Sequence, residues 1–233
     1  MPAPRTLYAA TTNPGKLAEF ATSASSQGIA VEALPNLAQM AEPIEDALTF
    51  MGNAEKKAAA YSLLAPNRLI FADDSGLEVP ALHNQPGVRS ARFADDLGFE
   101  LPQKSVISTG AQHSGETPVS APANANPGTR DARNNRCLLS LLAQLPNPSR
   151  AARFVCALAL ARDGKILLRA EGTVNGELLR APRGRDGFGY DPLFLIPSLN
   201  LTMAELSRDQ KWQLSHRGNA FRNLLTQLRD HPL

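Results

Sequence analysis

The first part of the chain alternates short apolar runs with segments of helical periodicity. Residues 6–10, 28–34 and 68–72 are apolar runs bounded by polar or turn-forming residues, and each predicts a β-strand. Residues 16–27 and 49–65 lie between these runs and predict two α-helices. This order predicts an α/β fold, in which helices pack against a central sheet.

Both predicted helices carry apolar side chains on one face, which we expect to pack against the sheet. In the first helix these residues are Leu17, Phe20 and Ala24. In the second helix they are Phe50, Ala54, Ala58, Tyr61 and Leu64. Pro66 then ends the periodic segment, because proline cannot continue a helix.

The middle of the second half predicts further sheet structure. Residues 131–145 predict a helix, and residues 191–197 predict a strand. Residues 153–174 alternate apolar and polar positions on both sides of Asp163-Gly164, which predicts a β-hairpin with a tight turn. The first strand of this hairpin should direct one set of side chains to a single face, namely Phe154, Cys156, Leu158 and Leu160.

The C-terminal segment, residues 207–230, is predicted to be helical. Ser207 and Ser215 are candidate N-caps, because a serine hydroxyl can accept a hydrogen bond from a free amide in the first helical turn. The last helix has an apolar stripe that should be buried, formed by Phe221, Leu224, Leu225 and Leu228.

Residues 95–131 differ in composition from the rest of the chain. They are rich in Ser, Pro, Gly, Ala, Thr and Asn and have little periodic apolar content, so they predict a flexible insertion. A functional lid over a binding site is the alternative interpretation. The pattern that follows does not form an obvious independent unit, and we therefore expect a single domain over residues 1–233.

Composition restricts the classes of function. The chain has 233 residues, of which 43% are hydrophobic and 20% charged, and its formal net charge of +2 gives no strong case for a nucleic-acid or membrane partner. Cys137 and Cys156 fit no metal-binding spacing and suggest a reducing compartment. No apolar stretch has the length of a signal peptide core or of a membrane helix, so we expect a cytoplasmic protein.

The segment Thr-Thr-Asn-Pro-Gly-Lys at residues 11–16 is a candidate anion site. It joins a predicted strand to a predicted helix, where free backbone N–H groups and the helix dipole favour a phosphate. Lys16 adds a full positive charge. The segment is not a P-loop, because that motif requires a Ser or Thr after the lysine and this chain has Leu17. An ordinary turn with a solvated lysine remains the alternative.

Two adjacent acids, Asp73 and Asp74, follow the third predicted strand. Ligands in open α/β sheets bind beyond the carboxyl ends of strands, so these acids are candidates for Mg²⁺ binding or for proton abstraction from water. Neighbouring residues of an extended chain point to opposite sides, so only one of them should face a given site. A simple turn is the alternative. Glu45 is a candidate third acid, or else an acid near a helix N-terminus.

Two further segments could form a binding site. Residues 184–192 are rich in glycine and include Phe188 and Tyr190, which could stack on a base or fill the core. Residues 215–221 begin with Ser-His-Arg near a helix start, where the His and Arg side chains could donate hydrogen bonds or simply be solvated. The chain has no Gly-x-Ser-x-Gly motif, which argues against a Ser-His-Asp hydrolase.

Considered together, four segments in this order resemble the inosine triphosphate pyrophosphatase family, the purine nucleoside triphosphate pyrophosphatases. The segments are TTNPGKLAEF, ADDSGLEVPALHNQPGVRSARFA, FGYDPLF and SHRGNAF. The resemblance covers nearly the whole chain apart from the predicted insertion. It implies a mixed central β-sheet flanked by helices. It also implies hydrolysis of ITP, dITP and XTP to the monophosphate and pyrophosphate, with Mg²⁺ and as a homodimer.

The resemblance also implies roles for individual residues. Asp74 would accept a proton from the attacking water, Glu45 and Asp74 would hold Mg²⁺, and Ser75 would contact the substrate. The triphosphate would be held by Thr11, Thr12, Asn13, Pro14, Gly15 and Lys16. The base and sugar would be surrounded by Phe188, Gly189, Tyr190, Asp191, Lys211, His216 and Arg217. A fixed donor such as Arg217 would favour a purine with a 6-keto group over one with a 6-amino group.

Two features depart from the family pattern. Asp46 and Ala47 stand where the family has Thr and Gly, which could reshape the loop that carries Glu45 or shift metal binding. The segment between Arg92 and Arg133 is longer than usual and could alter the dimer surface or cover the site. A pyrophosphatase for modified pyrimidine triphosphates and a nucleotide-binding sensor without turnover are the alternative functions.

Overall fold

The computed structural model describes residues 6–25, 28–100 and 128–230, and within these ranges eight strands form one sheet. The strands are β1 (Thr6–Ala9), β2 (Ala30–Ala33), β3 (Leu69–Val79), β4 (Gln85–Pro86), β5 (Ala151–Arg162), β6 (Lys165–Leu178), β7 (Phe194–Ile196) and β8 (Leu201–Thr202). Their order is β2-β1-β3-β5-β6-β7-β8, and β4 pairs with β3. β1 is parallel to β2 and β3, and the other pairs are antiparallel. The expected mixed sheet is confirmed.

Helices cover both faces of this sheet. They are α1 (Pro14–Ser25), α2 (Phe50–Leu64), α3 (Phe93–Asp96), α4 (Arg130–Ala143), α5 (Arg208–Leu214) and α6 (His216–Asp230). Short 3₁₀ turns occur at Leu37–Gln39, Pro80–Leu82 and Gly87–Arg92. Among the described helices, none is both long and apolar enough to span a membrane.

β5 lies at the centre of the core and is buried on both faces. The expected face that includes Cys156, Leu158 and Leu160 packs against α1 and α6, where Phe20 and Phe221 are fully buried. The opposite face presents alanines to α2, whose own buried residues are Phe50, Ala54 and Ala58. Small side chains on both partners allow α2 to lie close to the sheet, so its polar side chains can reach β3.

The hairpin and the helix caps agree with the sequence. Asp163 and Gly164 have φ angles of 51° and 79°, which fit the two-residue turn of a β-hairpin. The hydroxyl of Ser207 accepts a hydrogen bond from the amide of Gln210 and caps α5. The hydroxyl of Ser215 accepts one from the amide of Gly218 at 3.1 Å and caps α6. The predicted stripe on α6 is buried.

The structure corrects two expectations. β3 does not end before Asp73 but continues to Val79, because Asp73 and Asp74 pair with Leu158 and Ala157 of β5. The interpretation of the two acids as a turn is therefore wrong. Leu64 is 54% exposed, since the inward positions at the end of α2 are taken by Ser62 and Ala65.

The predicted insertion over residues 95–131 falls only partly within the described chain. Asp95 and Asp96 belong to α3, and Arg130 begins α4, so both edges of the segment are helical. Residues 101–127 lie outside the described residues.

Candidate active site

Asp73 lies on the face of the sheet that is covered by α1 and α6. Its Oδ2 atom is 2.8 Å from Nζ of Lys16 and 3.9 Å from Nε of Arg217. Burial alone would raise the pKa of Asp73, but the charges of Lys16, Arg217 and Lys57 together hold it well below its usual range. Asp73 is therefore an ionised anchor for two cations, and it is not suited to accept a proton.

Asp74 points to the opposite face, toward α2, because side chains alternate along a strand. Its Oδ2 atom accepts a hydrogen bond from Nδ2 of Asn53 at 3.0 Å, and its Oδ1 atom lies 4.0 Å from Nζ of Lys57. Burial is the largest effect on the pKa of Asp74 and raises it. The charge of Lys57 and the hydrogen bond from Asn53 lower this pKa, the charges of Glu45 and Asp73 raise it, and the net shift is upward. A raised pKa makes this carboxylate a better proton acceptor than Asp73.

Lys57 connects Asp74 to Glu45. Its ammonium group lies 3.2 Å from Oε1 of Glu45. Burial would lower the pKa of Lys57, but the charges of Asp73, Asp74 and Glu45 raise it. The lysine thus keeps its charge and offsets the repulsion between neighbouring carboxylates.

Glu45 and Asp74 could hold a divalent cation. Within residues 6–25, 28–100 and 128–230 there is no group of three or more His, Cys, Asp or Glu side chains placed to bind a metal. Mg²⁺ in nucleotide enzymes needs only one or two carboxylates, because phosphate oxygens and water complete its coordination. This pair of oxygen donors fits that mode of binding.

The loop at residues 11–16 is ordered by Asn13. The Oδ1 atom of Asn13 accepts hydrogen bonds from the amides of Gly15 and Lys16 at 2.9 and 3.1 Å, and the hydroxyl of Thr11 accepts one from the amide of Asn13. The sequence predicts free amides here, whereas those of Gly15 and Lys16 are bonded within the loop. The positive charge of Lys16 is the main attraction that the segment offers to a phosphate.

Phe188 and Tyr190, the two aromatic residues of the glycine-rich loop, have different environments. Phe188 is 47% exposed, and the ammonium of Lys211 and the guanidinium of Arg217 lie 5.0 and 5.5 Å from its ring centre. Tyr190 is buried in the core, and its hydroxyl donates to the carbonyl of Ser90 at 3.0 Å. Its ring therefore lies on the core side of the loop, in agreement with the core-filling alternative for this residue.

A cavity of about 630 Å³ lies between α1, the loop at residues 186–188 and α5. Its walls include Asn13, Glu19, Phe188, Lys211 and Trp212. The volume falls in the range of small-molecule sites, and the exposed ring of Phe188 offers a stacking surface.

Asp191 holds two parts of this wall together. Its Oδ2 atom lies 2.6 Å from Nζ of Lys211 and accepts a hydrogen bond from the amide of Phe188 at 2.9 Å. Asp191 thereby fixes the ammonium group beside the aromatic ring. Gly189 lies in the same loop, in a left-handed conformation with φ of 61°.

Arg217 links the cavity to Asp73 and Ser75 of β3. It is buried, and Nη1 lies 3.6 Å from Glu19, a wall residue of the cavity, while Nη2 makes a long 3.5 Å contact with the hydroxyl of Ser75. Burial would lower the pKa of Arg217, but nearby charges, led by Asp73, raise it. The guanidinium is therefore a permanent cation between the two parts of the site.

His216 lies beneath the site and does not line the cavity. Its ring stacks on Phe154 at 4.9 Å with an interplanar angle of 19°. Burial and the nearby cations Arg217, Lys211 and Lys16 lower the pKa of His216 well below its usual value. This lowered pKa favours the neutral ring, and within the described chain its Nδ1 atom has no hydrogen-bond partner.

Sequence comparison identifies the family. The sequence model of the Ham1 family matches residues 7–108 and 115–227. The chain belongs to the Ham1 family. It is 45% identical to a dITP/XTP pyrophosphatase of Acidobacterium capsulatum, with 96% of this chain and 98% of that protein covered. It is 43% identical to a dITP/XTP pyrophosphatase of an Anaeromyxobacter species, with 94% of each chain covered.

Solved structures agree with this membership in the Ham1 family. The Ham1 protein of Staphylococcus aureus superimposes with a TM-score of 0.73 at 32% identity, covering 97% of this chain and 99% of its own. A HAM1 protein of Coxiella burnetii gives a TM-score of 0.74 at 30% identity, covering 97% and 100%. The two ranges matched by the family leave out only residues 109–114 of the predicted insertion.

The loop that departs from the expected family pattern is well accommodated in this Ham1 protein. The amide of Ala47 donates to Oδ1 of Asn53 at 2.9 Å. The side chain of Ala47 packs closely against α2 at Gly52, where an added Cβ atom would lie only 2.8 Å from Cβ of Ala47. Asp46 pairs with Lys56 at the exposed side of α2. Glu45, next to Asp46, contacts Lys57 at 3.2 Å.

Sequence reasoning missed Asn53 and Lys57. Both lie on α2 and contact Asp74. They are four residues apart, so they share one face of the helix. Two polar residues at this spacing beside the buried alanines were a signal that α2 approaches something other than an apolar surface.

Proposed function

We propose that this chain hydrolyses non-standard purine nucleoside triphosphates, namely ITP, dITP and XTP, to the monophosphate and pyrophosphate. The observation that carries the proposal is the position of Arg217, which lies over the ring of Phe188 and also beside Asp73. One residue thus joins a surface suited to a purine base with a cluster of charges suited to phosphates. The family's dITP/XTP pyrophosphatases support the same reaction.

Lys16 and the loop at residues 11–16 would bind the triphosphate. Lys16 is held by Asp73 at the start of α1, where its ammonium is only partly exposed. A triphosphate carries more negative charge than one carboxylate, so it can share this cation with Asp73. Neutralisation of the phosphates lowers the barrier to attack by a nucleophile.

Asp74 would act as the general base. Its carboxylate accepts the proton of a water molecule while the water oxygen forms a bond to the α-phosphorus. The bond from the α-phosphorus to the bridging oxygen breaks, and pyrophosphate leaves with that electron pair. Asn53 orients the carboxylate by its hydrogen bond to Oδ2, which leaves Oδ1 on the side of Lys57.

We propose Mg²⁺ as the cofactor, held by Glu45 and Asp74. When bound, Mg²⁺ would supply positive charge to the phosphates and stabilise the leaving pyrophosphate. Lys57 lies beside both carboxylates and would hold them in position before the metal and the substrate arrive.

The cavity would select the base. Stacking on Phe188 is available to any purine, so it contributes affinity and little discrimination. Arg217 and Lys211 provide only donors, which pair with a 6-keto oxygen and oppose a 6-amino group. A donor that is left unpaired against the wrong base can disfavour that base by a factor of roughly 10⁴.

We also propose a homodimer and a single domain over residues 1–233. Ile44 and Leu48 are 77% and 94% exposed beside Glu45, and exposed apolar side chains of this size favour an interface. Sedimentation equilibrium of the purified protein measures the mass directly, and a monomer at all concentrations would contradict the homodimer.

The activity is tested by incubating the protein and Mg²⁺ with ITP, XTP, dITP, ATP, GTP and modified pyrimidine triphosphates, and by measuring phosphate and pyrophosphate separately. Pyrophosphate from ITP, dITP and XTP, with little from ATP, supports the proposal. Orthophosphate as the direct product would contradict the proposed cleavage position. Faster hydrolysis of a modified pyrimidine triphosphate would show that the substrate is a pyrimidine nucleotide. Tight binding of ITP without turnover would identify a nucleotide-binding sensor.

A further inference from the structure

We propose that Asp131 and Asn135, on α4, are positioning residues that hold the peptide units of Gly189 and thereby fix the ring of Phe188 for the base. This inference rests on the proposed function of the cavity. Neither residue lies in the segments that resemble known motifs.

The two side chains hold both polar groups of one residue. Oδ2 of Asp131 accepts a hydrogen bond from the amide of Gly189 at 2.7 Å. Nδ2 of Asn135 donates to the carbonyl of Gly189 at 2.8 Å. The pair is spaced four residues apart, so one face of α4 presents an acceptor and a donor side by side. We call this pair the Gly189 clamp.

The loop needs such a clamp because its own sequence provides little rigidity. Gly184, Gly187 and Gly189 have positive φ angles of 91°, 80° and 61°. Glycine has many accessible backbone conformations, so a loop with three of them loses much entropy when it becomes ordered. Phe188 lies between two of these glycines and is half exposed, so core packing does not fix its ring.

α4 is itself fixed to the core on the same side. Asn134 accepts a hydrogen bond from the amide of Ala94 at 2.9 Å and donates to the carbonyls of Ser90 and Ala91. The hydroxyl of Tyr190 donates to the carbonyl of Ser90 as well. The helix, the 3₁₀ turn and the loop are therefore connected by hydrogen bonds, and α4 can act as a rigid support.

A clamp of this kind should affect substrate affinity more than the chemical step. Gly189 lies next to the stacking ring, whereas Asp74 lies on β3 and α4 does not contact it through any described hydrogen bond or ion pair. Loss of the clamp would add conformational freedom to Phe188, which the substrate must then remove when it binds.

Two nearly isosteric substitutions separate the clamp from a general structural role. Asp131→Asn keeps an oxygen acceptor for the amide of Gly189. Asn135→Asp removes the donor and sets two acceptors against each other. We expect Asn135→Asp to raise the KM for ITP about three- to tenfold with kcat within about twofold, the size of one lost hydrogen bond. Asp131→Asn should change KM by less than about twofold, whereas Asp131→Ala should raise it as Asn135→Asp does.

Two further variants guard against misinterpretation. Oδ1 of Asn135 is buried and has no partner within the described chain, so a carboxylate there could also reduce stability. Asn135→Ala removes the donor without adding charge and should raise KM similarly. Gln144→Ala, at the exposed C-terminal end of α4, is the matched control and should leave KM and thermal stability unchanged.

Two readouts do not depend on turnover. Hydrogen exchange of the Gly189 amide should accelerate in Asp131→Ala, and unchanged exchange would overturn the clamp. Trp212 is the only tryptophan in the chain and lines the cavity, so its fluorescence can follow the binding of ITP. Unaltered ITP affinity in Asn135→Ala would overturn the positioning role. A wild-type protein that binds ITP but hydrolyses none of the nucleotides would contradict the proposed function alone.

Discussion

Asp73 and Asp74 are adjacent in the sequence but face opposite sides of the sheet. Asp73 contacts Lys16 and Arg217, and Asp74 contacts Asn53 and Lys57. The two carboxylates therefore have different environments. The pKa of Asp73 is held low, and the pKa of Asp74 is raised. This difference supports the proposed role of Asp74 in proton transfer.

Asp74→Asn should abolish most turnover and leave the fold intact. The amide keeps the shape of the side chain but cannot accept the proton of water, and loss of a general base lowers kcat by roughly 10²–10⁴-fold. Steady-state pyrophosphate release measures this effect, and circular dichroism checks the fold. A rate close to that of the wild type would remove Asp74 from the mechanism.

Arg217→Ala should narrow the preference for ITP over ATP. The residue lies between the ring of Phe188 and Asp73, so its loss removes a donor close to the base. We expect the ratio of kcat/KM values for ITP and ATP to fall about tenfold or more.

Arg217→Lys separates shape from charge. It keeps a cation near Asp73 but loses the planar fork, so it should preserve stability better than Arg217→Ala while still narrowing the preference. An unaltered ITP to ATP ratio in both variants would mean that the base is read by other residues.

Lys57→Met should reduce stability in a way that Mg²⁺ partly restores. Without the lysine, Glu45 and Asp74 lose their shared cation, and we expect a loss of about 1–3 kcal/mol because Glu45 is partly solvated. Urea unfolding with and without Mg²⁺ measures the difference. Lys56→Met, on the exposed side of the same helix, is the matched control. No stabilisation of either the wild type or Lys57→Met by Mg²⁺ would argue against a metal at these carboxylates.

His216 should make the protein less stable as pH falls below about 6.5, the usual pKa of histidine. The unfolded chain binds a proton at His216 in this range, whereas the buried ring in the folded protein remains neutral. Protonation therefore stabilises the unfolded state relative to the folded state. The contribution of neutral His216 to the free energy of unfolding is complete above pH 7. Below the usual pKa of histidine it falls by up to about 1.4 kcal/mol per pH unit.

Urea unfolding of the wild type and of His216→Asn at pH 7.5, 6.5 and 5.5 isolates this contribution. The stability difference between the two proteins should shrink as the pH falls. A constant difference across this range would show that His216 is not held neutral by the fold.

The sequence predicts most of the fold because its periodic segments are long and their caps and turns are distinct. Ser207, Ser215 and the Asp163-Gly164 turn are local signals, and the structure uses all of them. The extension of β3 through Asp73 and Asp74 was not predicted, because charged residues inside a buried strand look like the end of that strand when their partners are unknown.

The composition of the site shows the same limit. Lys16 and Arg217 belong to recognisable segments, and the structure brings them to one carboxylate. Asn53, Lys57 and the Gly189 clamp depend on which helix packs against which strand or loop. Such contacts join distant parts of the chain, so a local pattern such as the four-residue spacing of Asn53 and Lys57 can indicate a polar contact but cannot identify the partner.

The continuity of β3 restricts where residues can be inserted or deleted during the evolution of this protein. Because the strand is paired residue by residue with β5, inserting or deleting one residue before Asp73 would exchange the directions of the two acids. Asp74, the proposed general base, would then face Arg217, and Asp73 would face α2. Length changes should therefore be rejected in β3 and tolerated near residues 109–114, where the match to the family is itself interrupted.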